Sequence, residues 1–129
     1  MAAAMVLGVV VHGPDSPLVA LVVDDEFLIA VELEAILTAG GYHVLSAVNV
    51  TEARHLASLR PIDVAVLDFR MGAGAVDFAR ELQARGVPTL FCTGSTLDEV
   101  HAVFPATPVI AKPFSSDDLL ASVKAAIGR

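Results

Sequence analysis

Lysine is almost missing from this chain: among its 129 residues only Lys112 and Lys124 are lysines. Eight Lys and Arg stand against 15 Asp and Glu, giving a net charge of −7 and a pI near 4.8. Binding to a phosphate backbone needs clustered Lys and Arg, so no nucleic-acid partner is expected. Cysteine is scarce too. The single Cys92 excludes an internal disulfide and any cysteine-based zinc site, and it fits a reducing cytoplasm. No histidine pair has metal-ligand spacing, and His12 and His101 read as surface residues. The apolar opening MAAAMVLGVVV ends at His12-Gly13-Pro14-Asp15, too soon to span a bilayer, and no basic residue precedes it as a signal peptide requires. A cytoplasmic protein without a membrane partner is therefore expected. Residues 1–17 read as an N-terminal extension and residues 18–129 as the domain. Repeats and low-complexity linkers are absent as well.

What is present is a globular composition, 55% apolar and 18% charged, in a length that suits one domain with a proper core. From Leu18 onward, apolar runs of strand length alternate with helical patterns. Leu18–Val23 is a continuous apolar run, as expected of a strand buried on both faces. Glu26–Ala39 follows with Ile29, Leu33, Ile36 and Leu37 at helical spacing and Gly40-Gly41 as a stop. His43–Ala47 reads as a second strand, and Asn49 with Glu52 starts a helix that runs to Leu59 before Pro61. Ile62–Leu67 is a third strand, followed by a helix over Ala75–Arg85 with Val76, Ala79 and Leu82 inward. Val87–Cys92 is the fourth strand. Thr96–Phe104 allows at most two turns of helix before Pro105. Pro108–Ala111 is the fifth strand, and Ser115 with Asp118 opens a last helix to Ile127. Strict alternation of this kind predicts an α/β fold, a doubly wound parallel sheet of five strands with helices on both faces and a short helix four. Ligands of such sheets bind beyond the carboxyl ends of the strands.

The predicted strand ends carry chemistry. Strand one ends in Asp24-Asp25-Glu26, strand three in Asp68, strand four in Thr93-Gly94-Ser95 and strand five in Lys112-Pro113. A parallel sheet brings all four ends to one rim. Two carboxylates ~4 Å apart repel by about 4 kcal/mol at an effective dielectric near 20, so such a cluster needs protons or a cation. All-oxygen ligands with few carboxylates suit Mg²⁺, which commonly shares a phosphate. The lysine is a point charge for a phosphate oxygen, and the Thr hydroxyl and Gly94 N–H are further donors. Carboxylate, divalent metal, lysine and hydroxyl around one point suit phosphoryl transfer with a carboxylate nucleophile.

Asp24-Asp25, Asp68, Thr93 and Lys112-Pro113, in this order at successive strand ends, resemble the signature set of the response-regulator receiver domain of two-component signalling. The resemblance runs from about Leu18 to the C-terminus. It implies a flavodoxin-like sheet of strand order 2-1-3-4-5 and a phosphoryl group accepted on Asp68 from a histidine kinase or phosphotransfer protein. It further implies Mg²⁺ held by Asp25 and Asp68, by Asp24 through water, and by the Arg70 backbone carbonyl. Lys112 and Thr93 would hold the phosphoryl oxygens, and the Lys112–Pro113 peptide would be cis. Glu26 reads as an N-terminal acid of the first helix rather than a ligand. Signalling would pass through contacts with a downstream protein, in a phosphorelay or phosphate-sink role, and the domain would not be an enzyme in the ordinary sense.

Two departures accompany the resemblance. Receivers usually carry an aromatic residue three positions before the lysine, where this chain has Val109. Phe91-Cys92-Thr93-Gly94 is instead similar to a subgroup of stand-alone bacterial receivers with a Phe-Ala-Thr-Gly run and no such aromatic. Asp68 is followed by Phe69-Arg70-Met71-Gly72, where the common pattern has proline at the fourth place, and Arg70 is a candidate to lie over the phosphoryl site. Two rival readings are a pseudo-receiver that binds without being phosphorylated and a carboxylate-nucleophile phosphohydrolase. The intact acids, Thr93 and Lys112 oppose the first. The second typically has an acid two residues after the nucleophile, where this chain has Arg70.

Overall fold

The structure, a computed structural model, describes residues 4–6, 9–11 and 16–128. Two short strands that sequence patterning did not anticipate come first, β1 (Ala4–Val6) and β2 (Val9–Val11), paired antiparallel. His12 lies outside the described residues. The domain then alternates β3 (Val19–Val23), α1 (Phe27–Ala39), β4 (His43–Ala47), α2 (Val50–Leu59), β5 (Val64–Leu67), α3 (Ala73–Ala84), β6 (Thr89–Thr93), α4 (Leu97–His101), β7 (Val109–Ala111) and α5 (Ser116–Ile127). The five domain strands form one parallel sheet in the order β4-β3-β5-β6-β7, which is 2-1-3-4-5 counted within the domain. Strand β3 sits at the switch point, because the chain leaves it to one side for β4 and returns on the other for β5.

Every residue of β3, β5 and β6 is buried, which explains why these strands read as apolar runs rather than alternations. Successive side chains of β3 enter opposite cores. Leu21 and Val23 pack with Ala53 of α2, Phe78 and Leu82 of α3 and Val100 of α4. Ala20 and Val22 pack with Leu33 and Leu37 of α1 and Leu119 and Val123 of α5. Helices thus cover both faces.

Caps set several boundaries. Asn49, Thr96 and Ser115 accept the backbone N–H of Glu52, Glu99 and Asp118 at 2.8, 3.2 and 3.1 Å. Helix α4 is shorter than the Thr96–Phe104 stretch suggests, ending at His101. Helix α3 begins two residues before the expected Ala75, after a 3₁₀ turn over Phe69–Met71. Between turn and helix, Gly72 has φ +94°, a conformation closed to proline, whose ring fixes φ near −65°. The departure at this position therefore has a backbone reason. His101 is half-buried rather than a plain surface residue, with Nε2 3.1 Å from the Thr107 carbonyl.

Candidate functional site

Asp24 directly follows β3 and Asp68 directly follows β5. Their strands are register partners, with Val23 beside Leu67, so the two carboxylates emerge side by side at the switch point. The backbone fixes both. Asp24 N–H donates to the Ala47 carbonyl at 3.1 Å and Asp68 N–H to the Val23 carbonyl at 3.0 Å. Asp24 and Asp68 are buried, 1% and 3% exposed, while Asp25 is open to solvent. One carboxylate oxygen from each of Asp24, Asp25 and Asp68 lies within 4.8 Å of the others.

Lys112 answers this charge. Its Nζ donates to Asp24 Oδ2 at 2.8 Å, Glu26 Oε1 at 3.0 Å and Asp68 Oδ2 at 3.1 Å. The lysine leaves β7 where its N–H donates to the Thr93 carbonyl at 3.0 Å, and its peptide bond to Pro113 is cis. Burial works against the ammonium, but the three carboxylates outweigh it and raise the Lys112 pKa above its ordinary value. Asp24 is also raised, because burial outweighs the hydrogen bonds from Lys112 and the Glu26 N–H. One lysine does not neutralise four acids. The donor set around the residual charge is all carboxylate oxygen, which fits a hard divalent cation such as Mg²⁺.

Asp68 Oδ1 faces the other way. It accepts the Thr93 hydroxyl at 2.8 Å and the Arg70 N–H at 3.0 Å. The second bond makes Asp68 the cap of the 3₁₀ turn, and that turn sets where the Arg70 backbone lies. Thr93 Oγ1 also accepts the Ser95 N–H at 3.2 Å, so it closes a local turn while donating to Asp68. The Arg70 side chain is exposed and lies against Gly94. A β-carbon at position 94 would meet its Nη1 at 3.3 Å, so glycine leaves room for the guanidinium beside the mouth of the site.

The structure gathers Asp24, Asp25, Asp68, Thr93, Lys112 and Arg70 at one rim. Glu26 differs from expectation. It is the N-cap residue of α1, yet its carboxylate makes no cap bond and reaches Lys112 instead. The signal was available in the run of three acids and the scarcity of lysine: one ammonium has three donors, and a third carboxylate within reach takes the remaining one.

Comparison with known proteins agrees with this geometry. Residues 20–124 match the model of the response regulator receiver domain. The regulatory protein VirG of Rhizobium rhizogenes is 28% identical over 113 residues, covering 83% of this chain and 47% of that protein. The transcriptional regulatory protein KdpE of Mycobacterium tuberculosis H37Rv is 32% identical over 114 residues, covering 84% of this chain and 50% of that protein. The chain spans about half the length of the curated relatives it matches. Among solved structures, the chemotaxis response regulator CheY4 of Vibrio cholerae superposes with a TM-score of 0.77 at 26% identity, covering 86% of this chain and 99% of that one. A response regulator from Thermotoga maritima shares the fold with a TM-score of 0.78 at 22% identity, covering 88% of this chain and 99% of that one. With the sheet order, the acidic rim and the family match in agreement, the chain belongs to the response regulator receiver domain family.

Proposed function

We propose that residues 18–129 act as a receiver that accepts a phosphoryl group on Asp68 from the phosphohistidine of a histidine kinase or phosphotransfer protein. Residues 1–17 are an extension outside that unit. A carboxylate oxygen of Asp68 forms the new bond to phosphorus as the donor P–N bond breaks, and the bonding pair leaves with the imidazole nitrogen. Asp25, Asp68 and the Arg70 carbonyl would hold Mg²⁺ directly and Asp24 through water, and the ion when bound would offset the charge gathered on the phosphoryl oxygens. Lys112 and Thr93 turn from the Asp68 carboxylate toward those oxygens. The charged receiver then signals through a protein partner. Among the described residues no helix is long and apolar enough to cross a membrane, and a cytoplasmic site of action goes with this reading.

The observation that carries the proposal is the environment of Asp68. It is a buried carboxylate whose two oxygens meet a lysine and a threonine hydroxyl, with two more acids beside it. Incubation with acetyl phosphate and Mg²⁺, followed by intact mass, tests it. A single phosphoryl adduct that requires Mg²⁺ and disappears in Asp68→Asn is expected. An adduct that persists in Asp68→Asn would place the nucleophile elsewhere.

A further inference from the structure

The first helix begins without a side-chain cap. Asn49, Thr96 and Ser115 cap α2, α4 and α5, but Glu26, the N-cap residue of α1, turns from its own helix to Lys112 Nζ at 3.0 Å. Of the three carboxylates on that ammonium, Glu26 is the exposed one, while Asp24 and Asp68 are buried. Among the described residues, the acids gathered within metal-ligand reach of one another are Asp24, Asp25 and Asp68, so Glu26 serves the lysine and not the cation. Lys112 Nζ thus bridges the buried Asp68 Oδ2 to a carboxylate at the mouth of the site. The guanidinium of Arg70 stands elsewhere at that mouth, against Gly94.

The two oxygens of Asp68 differ. Oδ1 accepts the Thr93 hydroxyl and the Arg70 N–H, which together take both its lone pairs, whereas Oδ2 accepts Lys112. Oδ2 therefore keeps a lone pair for phosphorus. In-line transfer sets the leaving atom about 5 Å from the attacking oxygen, on the side open to solvent. Glu26 Oε1 is two hydrogen bonds from Oδ2 through Lys112 Nζ, which puts its charge beside the departing group. We propose that Glu26 selects the phosphoryl donor: its carboxylate favours donors whose leaving group is a cationic nitrogen and disfavours those that release an anion. The inference rests on Asp68 being the phosphoacceptor. In both cases Asp68 Oδ2 forms the new bond to phosphorus. With acetyl phosphate the P–O bond breaks and its electron pair leaves on acetate. With phosphoramidate, a zwitterion near neutral pH, the P–N bond breaks, the pair stays on nitrogen, and the protonated amine leaves as ammonia. At each point along the transfer the acyl leaving group is one charge more negative than the amine, and Glu26 opposes that difference. Phosphohistidine, whose imidazole ring takes up a proton, belongs with the nitrogen donors.

Full-length wild type, Glu26→Gln and Glu26→Ala are incubated with Mg²⁺ and either acetyl phosphate or phosphoramidate. Adduct formation is timed by intact mass, and each adduct is checked against Asp68→Asn. The quantity read is the ratio of the two second-order rate constants, acetyl phosphate over phosphoramidate. A change in folding, in metal occupancy or in the freedom of Lys112 moves both constants together and leaves their ratio. Loss of the Glu26 charge is expected to raise the ratio by about fivefold in both variants. A ratio in either variant equal to or below that of wild type overturns the selection and leaves Asp68 as the acceptor. Wild type that reacts with acetyl phosphate alone overturns it too, as do variants that fold by circular dichroism and react with neither donor. Wild type that forms no adduct with either donor removes the phosphoacceptor reading itself, and the selection with it.

Discussion

Replacing Lys112 with methionine keeps most of the aliphatic stem and removes the ammonium on which the acidic rim depends. At about 3 Å and an effective dielectric near 20, each contact with a carboxylate has a Coulombic value of about 5 kcal/mol. Three contacts do not sum to three times that. Glu26 is largely solvated, 61% exposed, and its share is screened to well under 1 kcal/mol. Asp24 and Asp68 are the reverse, 1% and 3% exposed, and without Lys112 both are buried charges facing each other. Breaking a buried pair by deleting one partner costs about 3–5 kcal/mol, and that range is expected here in chelator at pH 7.5. For a domain of this size the loss corresponds to about 12–20 °C in melting temperature. The pH signs follow from the two shifts. Lys112 has a raised pKa, so its contribution is fully present below 10.5 and is complete at pH 7.5. Asp24 is already raised from 3.8 by burial, and losing the ammonium raises it further. The variant therefore recovers stability as pH falls, by taking up a proton, and the gap to wild type narrows. Urea denaturation followed by far-ultraviolet circular dichroism measures this at each pH. A Lys112→Met midpoint equal to or above wild type in chelator at pH 7.5 would show that the ammonium does not stabilise the acidic rim.

Three further outcomes follow from the same geometry. Asp24→Asn removes a carboxylate whose pKa burial has raised, so the metal-free protein gains stability near neutral pH, where wild-type Asp24 is ionised at a cost. The same variant loses Mg²⁺ affinity by about tenfold or more, read by titration calorimetry, and unchanged affinity would remove Asp24 from the metal site. Arg70→Ala is expected to leave Mg²⁺ binding intact, since in the proposed site only its backbone carbonyl would serve the metal, but clears the guanidinium from beside Gly94. Phosphoryl hydrolysis is then expected to speed up by a factor of about 5, the worth of one exposed charge-assisted hydrogen bond, and an unchanged lifetime would dismiss a role for the side chain. Cys92 is fully buried and its thiol is pushed up to about 12 by that burial, so it should resist a thiol reagent at pH 8 until the chain is unfolded in urea. Prompt labelling of the native protein would contradict the packing of β6.

The fold was legible because its signals are periodic and redundant. Strands buried on both faces read as the apolar runs before Asp24, Asp68 and Thr93, and each helix between them has a cap or a glycine at one end. Because a parallel sheet sends all its carboxyl ends to one rim, the order of strand ends was enough to bring Asp24, Asp25, Asp68, Thr93 and Lys112 together on paper. What sequence did not reveal depends on geometry at single residues. Three acids in a row do not say which one turns to the lysine, and Glu26 does so because Lys112 Nζ has a donor left after Asp24 and Asp68. The 3₁₀ turn after Asp68 and its exit through Gly72 follow from a positive φ that composition does not announce. The row Phe69, Phe91 and Phe104 joins residues far apart in sequence, and only tertiary packing aligns them.

Borohydride trapping tests at the level of the residue whether Asp68 carries the phosphoryl group. The protein is charged with acetyl phosphate and Mg²⁺, reduced with sodium borohydride, digested and sequenced by mass spectrometry. Reduction of an acyl phosphate at Asp68 leaves homoserine at that position, absent when Mg²⁺ or acetyl phosphate is withheld. Homoserine at position 24 or 25, or at no position in a protein that gained phosphoryl mass, would rule out Asp68 as the phosphoacceptor.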